Sequence, residues 1–250
     1  MRLARVDILG VKFDNVTMDE AVARAMELVE SGKTSTVVTP NSEIAYECMA
    51  NRSFRKLING ADLVVPDGAG VVLASKILKR PLKQKVAGVE LAEALLWKLA
   101  ERGKKLFLLG AKPGVAERAA QNLLQRVPGL NICGAFHGYF ESDEEAVRRI
   151  NEADPDIVYV CLGSPRQEHW MGKNAGKLVP CTMIGLGGTI DIFAGEARRA
   201  PPIFIKLNLE WFYRLLRQPS RIFRMMRLPV FLYTALCLRW TENKDRDVNR

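Results

Sequence analysis

The sequence predicts an α/β fold: a Rossmann-like, mostly parallel sheet flanked by helices, with a basic helical appendage at the C-terminus. Three observations predict it. Short, continuous apolar bursts alternate with amphipathic stretches, the pattern of strands buried on both faces and covered by helices. Glycine-bearing loops recur at the ends of these bursts. After GEARRAPP (195–202) the strand signal stops, and arginine, aromatics and methionine take over. The boundary is placed near residue 195, giving a Rossmann-like domain over 1–195 and a helical appendage over 196–250.

In chain order, TMDE (17–20) has capping-box form, and Met18, Ala21, Val22, Ala25, Leu28 and Val29 follow at helical spacing. STVVT (35–39) reads as a buried strand, SEIAYECMA (42–50) as a helix and ADLVV (61–65) as a second strand. Helices follow from Gly70 to about Leu78 and from about Val89 to Glu101. KLFLLG (105–110) is a strand, and Pro113 is suited to the first position of the helix after it. LNICGAF (130–136) is a strand, and SDEE (142–145) is a second capping box before a helix to about Ala153. DIVYVCLG (156–163) gives the clearest strand, followed by a helix over 165–177 and the strand CTMIGLG (181–187). No internal repeat or low-complexity tract interrupts this order.

Charge is unevenly distributed. The chain carries a formal +9, and residues 196–250 hold 12 of the 37 Lys and Arg but only 5 of the 28 Asp and Glu. The remaining 25 against 23 leave residues 1–195 nearly neutral. A basic tail suits a partner bearing phosphates: nucleic acid, an anionic membrane surface or a lipid-linked diphosphate. Its aromatic, amphipathic character and the lack of a nucleic-acid motif argue against nucleic acid. Five widely spaced cysteines with no C-x-x-C point to reduced, packed thiols and a cytoplasmic address. MRLARVDILG is too short and too soon charged for a signal peptide. LPVFLYTALCL (228–238) falls short of the ~20 residues that span a bilayer, so the chain is not expected to cross a membrane.

In an open parallel sheet, ligands bind outside the carboxyl ends of the strands. Those ends here read TPN (39–41), PDG (66–68), LGAKPG (109–114), LGSPRQE (162–168) and GLGGTID (185–191). Glycine lets backbone N–H groups approach a ligand closely, and helix N-termini after such loops favour phosphate oxygens. No G-x-G-x-x-G follows the first strands and no phosphate-loop motif occurs, so neither a nicotinamide oxidoreductase nor a P-loop enzyme is favoured. With only His137 and His169, no histidine-rich metal site is available, and no cofactor is expected. DPD (154–156) precedes a strand and so belongs to the opposite edge, as helix-end and turn chemistry.

Asp67 is either a turn or capping residue, or a partly shielded carboxylate with a raised pKa that accepts a proton from an attacking hydroxyl. Thr39 and Asn41 either cap the helix at 42–50 or recognise hydroxyls. Arg166 and Gln167 are either first-turn helix residues or donors to a sugar or diphosphate.

Taken together and in order, TPNSE, ADLVVPDGAGVV, KVAGVEL, LFLLGAKPG, HGYF, LGSPRQEHW, GLGGTIDIFAGEARRAP and LEWFYRLLRQPSR resemble the WecG/TagA/CpsF family of bacterial glycosyltransferases over nearly the whole chain. The resemblance implies an inverting, metal-independent transfer of N-acetylmannosamine from its UDP donor to the 4-hydroxyl of N-acetylglucosamine on undecaprenyl diphosphate, a step of wall teichoic acid linkage-unit synthesis. It implies that Asp67 is the general base, that Thr39 and Asn41 line the sugar pocket and that Gln167 lies near the reacting centre. Lys85 stands where relatives carry arginine, keeping the charge but losing the bidentate fork. Gly110, Gly187 and Gly188 fall to the nucleotide diphosphate and Asp191 to a ribose hydroxyl.

In the tail, Arg214, Arg217, Arg221 and Arg224 would share one helical face opposite Trp211, Phe212, Leu215, Leu216, Ile222, Phe223 and Met226, although Pro219 interrupts a continuous helix. That face is either a solvated basic surface or an interfacial element whose arginines hold lipid head groups and the acceptor diphosphate. The same apolar surface could pair protomers into a homo-oligomer. The competing readings are a related transferase using UDP-ManNAcA or UDP-glucose for another surface polysaccharide, and a non-catalytic nucleotide-binding module.

Overall fold

The computed structural model describes residues 3–207, 209–217, 222 and 226–248, apart from the side chains of residues 202, 206, 214, 217 and 243–248. A hairpin of β1 (Arg5–Ile8) and β2 (Val11–Asp14) opens the chain, joined by Leu9 and Gly10, both at positive φ (53° and 90°). The sequence reading missed this hairpin because its turn carries Leu-Gly rather than the usual Asn-Gly or Asp-Gly. Next come α1 (Met18–Glu30), β3 (Ser35–Val38), α2 (Ser42–Ala50), α3 (Arg52–Asn59) and β4 (Leu63–Val64). Then follow α4 (Ala69–Ile77), α5 (Gly88–Glu101), β5 (Lys105–Gly110), α6 (Val115–Arg126), β6 (Asn131–Phe136), α7 (Asp143–Ala153), β7 (Ile157–Cys161) and α8 (Arg166–Asn174). The chain continues through β8 (Thr182–Gly185), α9 (Thr189–Phe193), α10 (Pro202–Lys206), α11 (Glu210–Arg217) and α12 (Arg227–Val248).

Six strands form one parallel sheet in the order β4-β3-β8-β7-β5-β6. One face is covered by α1, α5, α6 and α9, the other by α2, α3, α4, α7, α8, the hairpin and α12. β7 is buried along its whole length, as its unbroken apolar run requires. All five cysteines are free, with Cys48, Cys161 and Cys181 buried in this core.

Local signals resolve as follows. Thr17 and Glu20 make both bonds of the capping box that starts α1. At α7, the Ser142 side chain accepts from the Glu145 N–H. Pro113 does not open α6: the helix starts at Val115 behind Gly114, which is left-handed (φ 79°), and Pro113 lies in the turn closed by Val115 N and Lys112 O. The helix thus begins where a glycine can reverse the chain, two residues later than the proline suggests. Asp154 ends α7, and Asp156 accepts from Lys105 N at 2.7 Å at the amino edge of the sheet.

Beyond residue 195 the described residues contain helices and no strand. α12 packs on α2 and α4, burying Phe231 and Ala235 completely. It crosses α4 so closely that a Cβ on Gly70 would stand 2.5 Å from Leu228 Cδ1. Among the described residues, no helix is long and apolar enough to cross a membrane.

Candidate active site

The crevice is set by β8. The helix after β8 goes to one face of the sheet, whereas the helices after its neighbours β3 and β7 go to the other. Loops that diverge in this way leave a gap above the strand ends, where ligands of parallel sheets bind. The loop after β8 therefore lies between the Thr39–Asn41 loop and the segment leading into α8.

Both flanking loops are tied to it. Thr39 is buried, and its Oγ1 donates to Gly185 O at 2.9 Å. Gln167 is 2% exposed; its Oε1 accepts from Gly187 N at 2.9 Å. Its Nε2 donates to Glu168 Oε1, also at 2.9 Å. Glu168 is equally buried, its other oxygen has no hydrogen-bond partner among the described residues, and burial pushes its carboxyl above the ordinary value. Asn41 caps α2, its Oδ1 accepting from Glu43 N and Ile44 N. Cys161, beneath the same edge, is no ready nucleophile, because burial pushes its thiol up to about 12.

Asp67 lies three residues beyond the end of β4. Its N–H donates to Pro40 O, and its Oδ2 accepts from Gly88 N, the first residue of α5, at 3.3 Å. Gly88 lies against Thr39, where a Cβ would come within 3.2 Å of the hydroxyl. Contacts thus run unbroken from Asp67 through Gly88 and Thr39 to the β8 loop. Two strand spacings separate β4 from β8, about 10 Å. The half-buried carboxylate and the glycine loop share one edge.

The nucleotide-type candidates lie on the other side of β8. Asp191, in α9, has its carboxyl raised chiefly by burial and further by Glu196, against the pull of Lys112 in the loop after β5. A Cβ on Gly188 would lie 3.6 Å from Asp191 Oδ2, at an ordinary φ of −89°. Gly187 is left-handed at φ 58°. Gly110 has a different reason to be glycine: its φ is 142° and a Cβ would stand 2.3 Å from Cys161 O. Its first role is the close pairing of β5 with β7.

Lys85 reaches Glu210 of α11 at 3.2 Å. Arg166 and Gln167 part company, as neighbours on a helix must, since successive residues turn by about 100°. Gln167 enters the crevice, while Arg166 is exposed and lies over the Phe140 ring at 5.1 Å. Arg214 and Arg217 belong to α11 with undescribed side chains, and Arg221 and Arg224 lie outside the described residues. Sequence reasoning missed Gly88, Glu168, Glu90, Arg199 and Glu210 as parts of this edge. For Glu168 the signal was an acid beside Gln167 at the start of an amphipathic helix; the other contacts join distant segments.

A model of the glycosyl transferase WecG/TagA/CpsF family matches residues 6–245. The chain belongs to this family. It is similar to N-acetylglucosaminyldiphosphoundecaprenol N-acetyl-beta-D-mannosaminyltransferases of Staphylococcus aureus strains MW2 and NCTC 8325 / PS 47. Each is 40% identical over 233 residues, covering 92% of this chain and 91% of the relative. The family implied by the sequence blocks is therefore the family found, and the parallel sheet flanked by helices is its scaffold in this chain.

Proposed function

We propose that this protein transfers an N-acetylmannosaminyl group from a UDP donor to N-acetylglucosamine on undecaprenyl diphosphate, inverting the anomeric centre. The observation that carries the reading is the 40% identity, over nine-tenths of both chains, to transferases whose names state that acceptor and that sugar. The geometry of the edge fits the chemistry. The UDP moiety would lie toward Gly187, Gly188 and Asp191, and the sugar toward Thr39 and Asn41, with Asp67 facing the acceptor. Asp67 takes the proton of the acceptor's 4-hydroxyl as that oxygen forms its bond to C1. The bond from C1 to the β-phosphate oxygen breaks, and UDP departs with the electron pair. Lys85 directly precedes the strip in which Val86 N donates to Pro66 O and Gly88 N donates to Asp67 Oδ2. Its charge, carried beside the base, serves the departing diphosphate.

A polyprenyl acceptor stays in the bilayer, so the enzyme works at the membrane surface. Ile203, Leu207, Leu216, Tyr233 and Trp240 expose apolar area along α10–α12. With Arg214, Arg217, Arg221 and Arg224 they supply the apolar and cationic parts of an interfacial element. The reading puts the protein at the inner face of the plasma membrane, without a metal.

The test is turnover of UDP-N-acetylmannosamine with a lipid-diphosphate-N-acetylglucosamine analogue, by wild type and by Asp67→Asn, with UDP-glucose and UDP-ManNAcA as competing donors. Loss of the base lowers kcat by roughly two to four orders of magnitude. Wild-type turnover in Asp67→Asn refutes the assigned role, and preference for another donor refutes the assigned sugar.

A further inference from the structure

Two cations and two carboxylates meet where the stretch 85–90, tied to Asp67 through Gly88, faces residues 199 and 210. Lys85 lies 3.2 Å from Glu210, Arg199 lies 3.6 Å from the same carboxylate, and Arg199 also pairs with Glu90 in the first turn of α5. All four side chains are mostly shielded, from 17% exposed at Lys85 to 34% at Glu90. The hydrogen bonds of Val86 and Gly88 to residues 66 and 67 hold this cluster against the acid end of the crevice.

We propose that Arg199 and Lys85 together form the cradle for the donor's diphosphate, and that Glu210 is an internal carboxylate which the diphosphate displaces. The proposal rests on the sugar-nucleotide reading above. Three features support it. The Arg199 Nε is buried and, among the described residues, makes no hydrogen bond: it faces Glu210 Oε1 at 3.6 Å, an ion pair too long for one, so a better acceptor has room to gain there. A planar guanidinium binds phosphate through paired N–H groups, supplying the fork that Lys85 lacks. With both carboxylates in place the cluster carries no net charge, so a diphosphate gains most when one of them leaves.

Glu210 is the one positioned to leave. Glu90 belongs to α5, whose Leu91, Leu95 and Leu96 are fully buried in the core. Glu210 opens α11, where Trp211, Phe212 and Leu216 are exposed. Release of Glu210 therefore removes the ion pairs that tie the start of α11 to Lys85 and Arg199 and leaves it held through Tyr213 against Phe204 of α10, coupling occupation of the nucleotide site to the apolar surface of the appendage.

Calorimetric titration of the full chain with UDP and with uridine tests this. Glu210→Gln, which keeps shape and removes charge, is expected to bind UDP about three- to tenfold more tightly with uridine binding unchanged. Arg199→Gln is expected to weaken UDP about tenfold, and Arg199→Lys by less, again without effect on uridine. Amide exchange in α11 rises when UDP is added to wild type. Unchanged or weaker UDP binding by Glu210→Gln, or unchanged binding by Arg199→Gln, overturns the proposal while leaving the sugar-nucleotide reading intact. Failure of wild type and all variants to bind UDP overturns both.

Discussion

Gly110→Ala and Gly188→Ala are expected to act differently, although Gly110 ends β5 and Gly188 precedes α9 at the same edge of the sheet. At Gly110 the added methyl would stand 2.3 Å from Cys161 O and 2.6 Å from Cys161 C, at a φ of 142°. Ordinary non-bonded contact needs about 3.5 Å, so the end of the β5–β7 ladder must open by about 1 Å. Overpacking of this kind costs about 1–3 kcal/mol, and the backbone strain about 1–2 kcal/mol more. At about 2–4 °C per kcal/mol for a chain of this length, Tm falls by roughly 5–15 °C. At Gly188 the nearest atom to the methyl is Asp191 Oδ2 at 3.6 Å, and φ is −89°. The entropy gain of about 0.4–1 kcal/mol is offset by a helix cap's preference for glycine over alanine. Tm should therefore move by no more than about 2 °C, while UDP affinity weakens roughly tenfold if, as proposed, a phosphate approaches the bare backbone there. Thermal melting and calorimetry separate the two. Equal melting losses in both variants, or a native Tm for Gly110→Ala, would refute the reasoning.

Glu168→Gln is expected to flatten the dependence of stability on pH. Burial raises the folded-state pKa of Glu168 above its ordinary 4.5, so its favourable contribution is complete below that value and lost as pH rises through the folded pKa. An amide keeps the contact with Gln167 without the proton; curves of Tm against pH that stay parallel to wild type would contradict this. Gly70→Ala pushes a methyl to 2.5 Å from Leu228 Cδ1, the end of a movable side chain. It should cost about 1–3 kcal/mol, read as faster amide exchange in α12 with protection in β5 and β7 retained; equal loosening of all three would count against it.

The parts of the fold that were legible have local causes. Thr17 with Glu20 announces α1, and the unbroken apolar run at 157–161 announces β7. The missed parts lack such signals. α3 reads RSFRKLIN, a short polar helix that buries only Phe54 and Ile58, and its clearest mark is the Asn51 cap on Phe54 N. β4 shrinks to Leu63–Val64 because it is an edge strand, paired on one side only. At the site, the rule that ligands gather at carboxyl ends selected loops that the fold does bring to one edge, since topology decides that much. It could not separate Arg166 from Gln167, which depends on helix phase, nor find Glu210 opposite Lys85, which depends on how segments 125 residues apart pack.

The two readings of Asp67, structural and chemical, share one geometry. α5 begins at Gly88 behind Ala87, which offers no side-chain cap, and Asp67 supplies the missing acceptor from another loop. The hydrogen bond that satisfies Gly88 N also fixes the carboxylate at the strand edge, beside the Thr39–Asn41 loop that contacts the end of β8. A capping role therefore does not compete with the proposed base; it would orient the carboxylate for it. This decides which substitution is informative. Asp67→Asn retains an oxygen to accept from Gly88 and loses only basicity, whereas Asp67→Ala removes the acceptor as well, at a cost of about 0.5–2 kcal/mol. Both should lose turnover to a similar degree, but only alanine should lower Tm, by a few degrees. If asparagine lowers Tm as much as alanine, or retains turnover that alanine loses, the residue is a cap and the proton goes elsewhere.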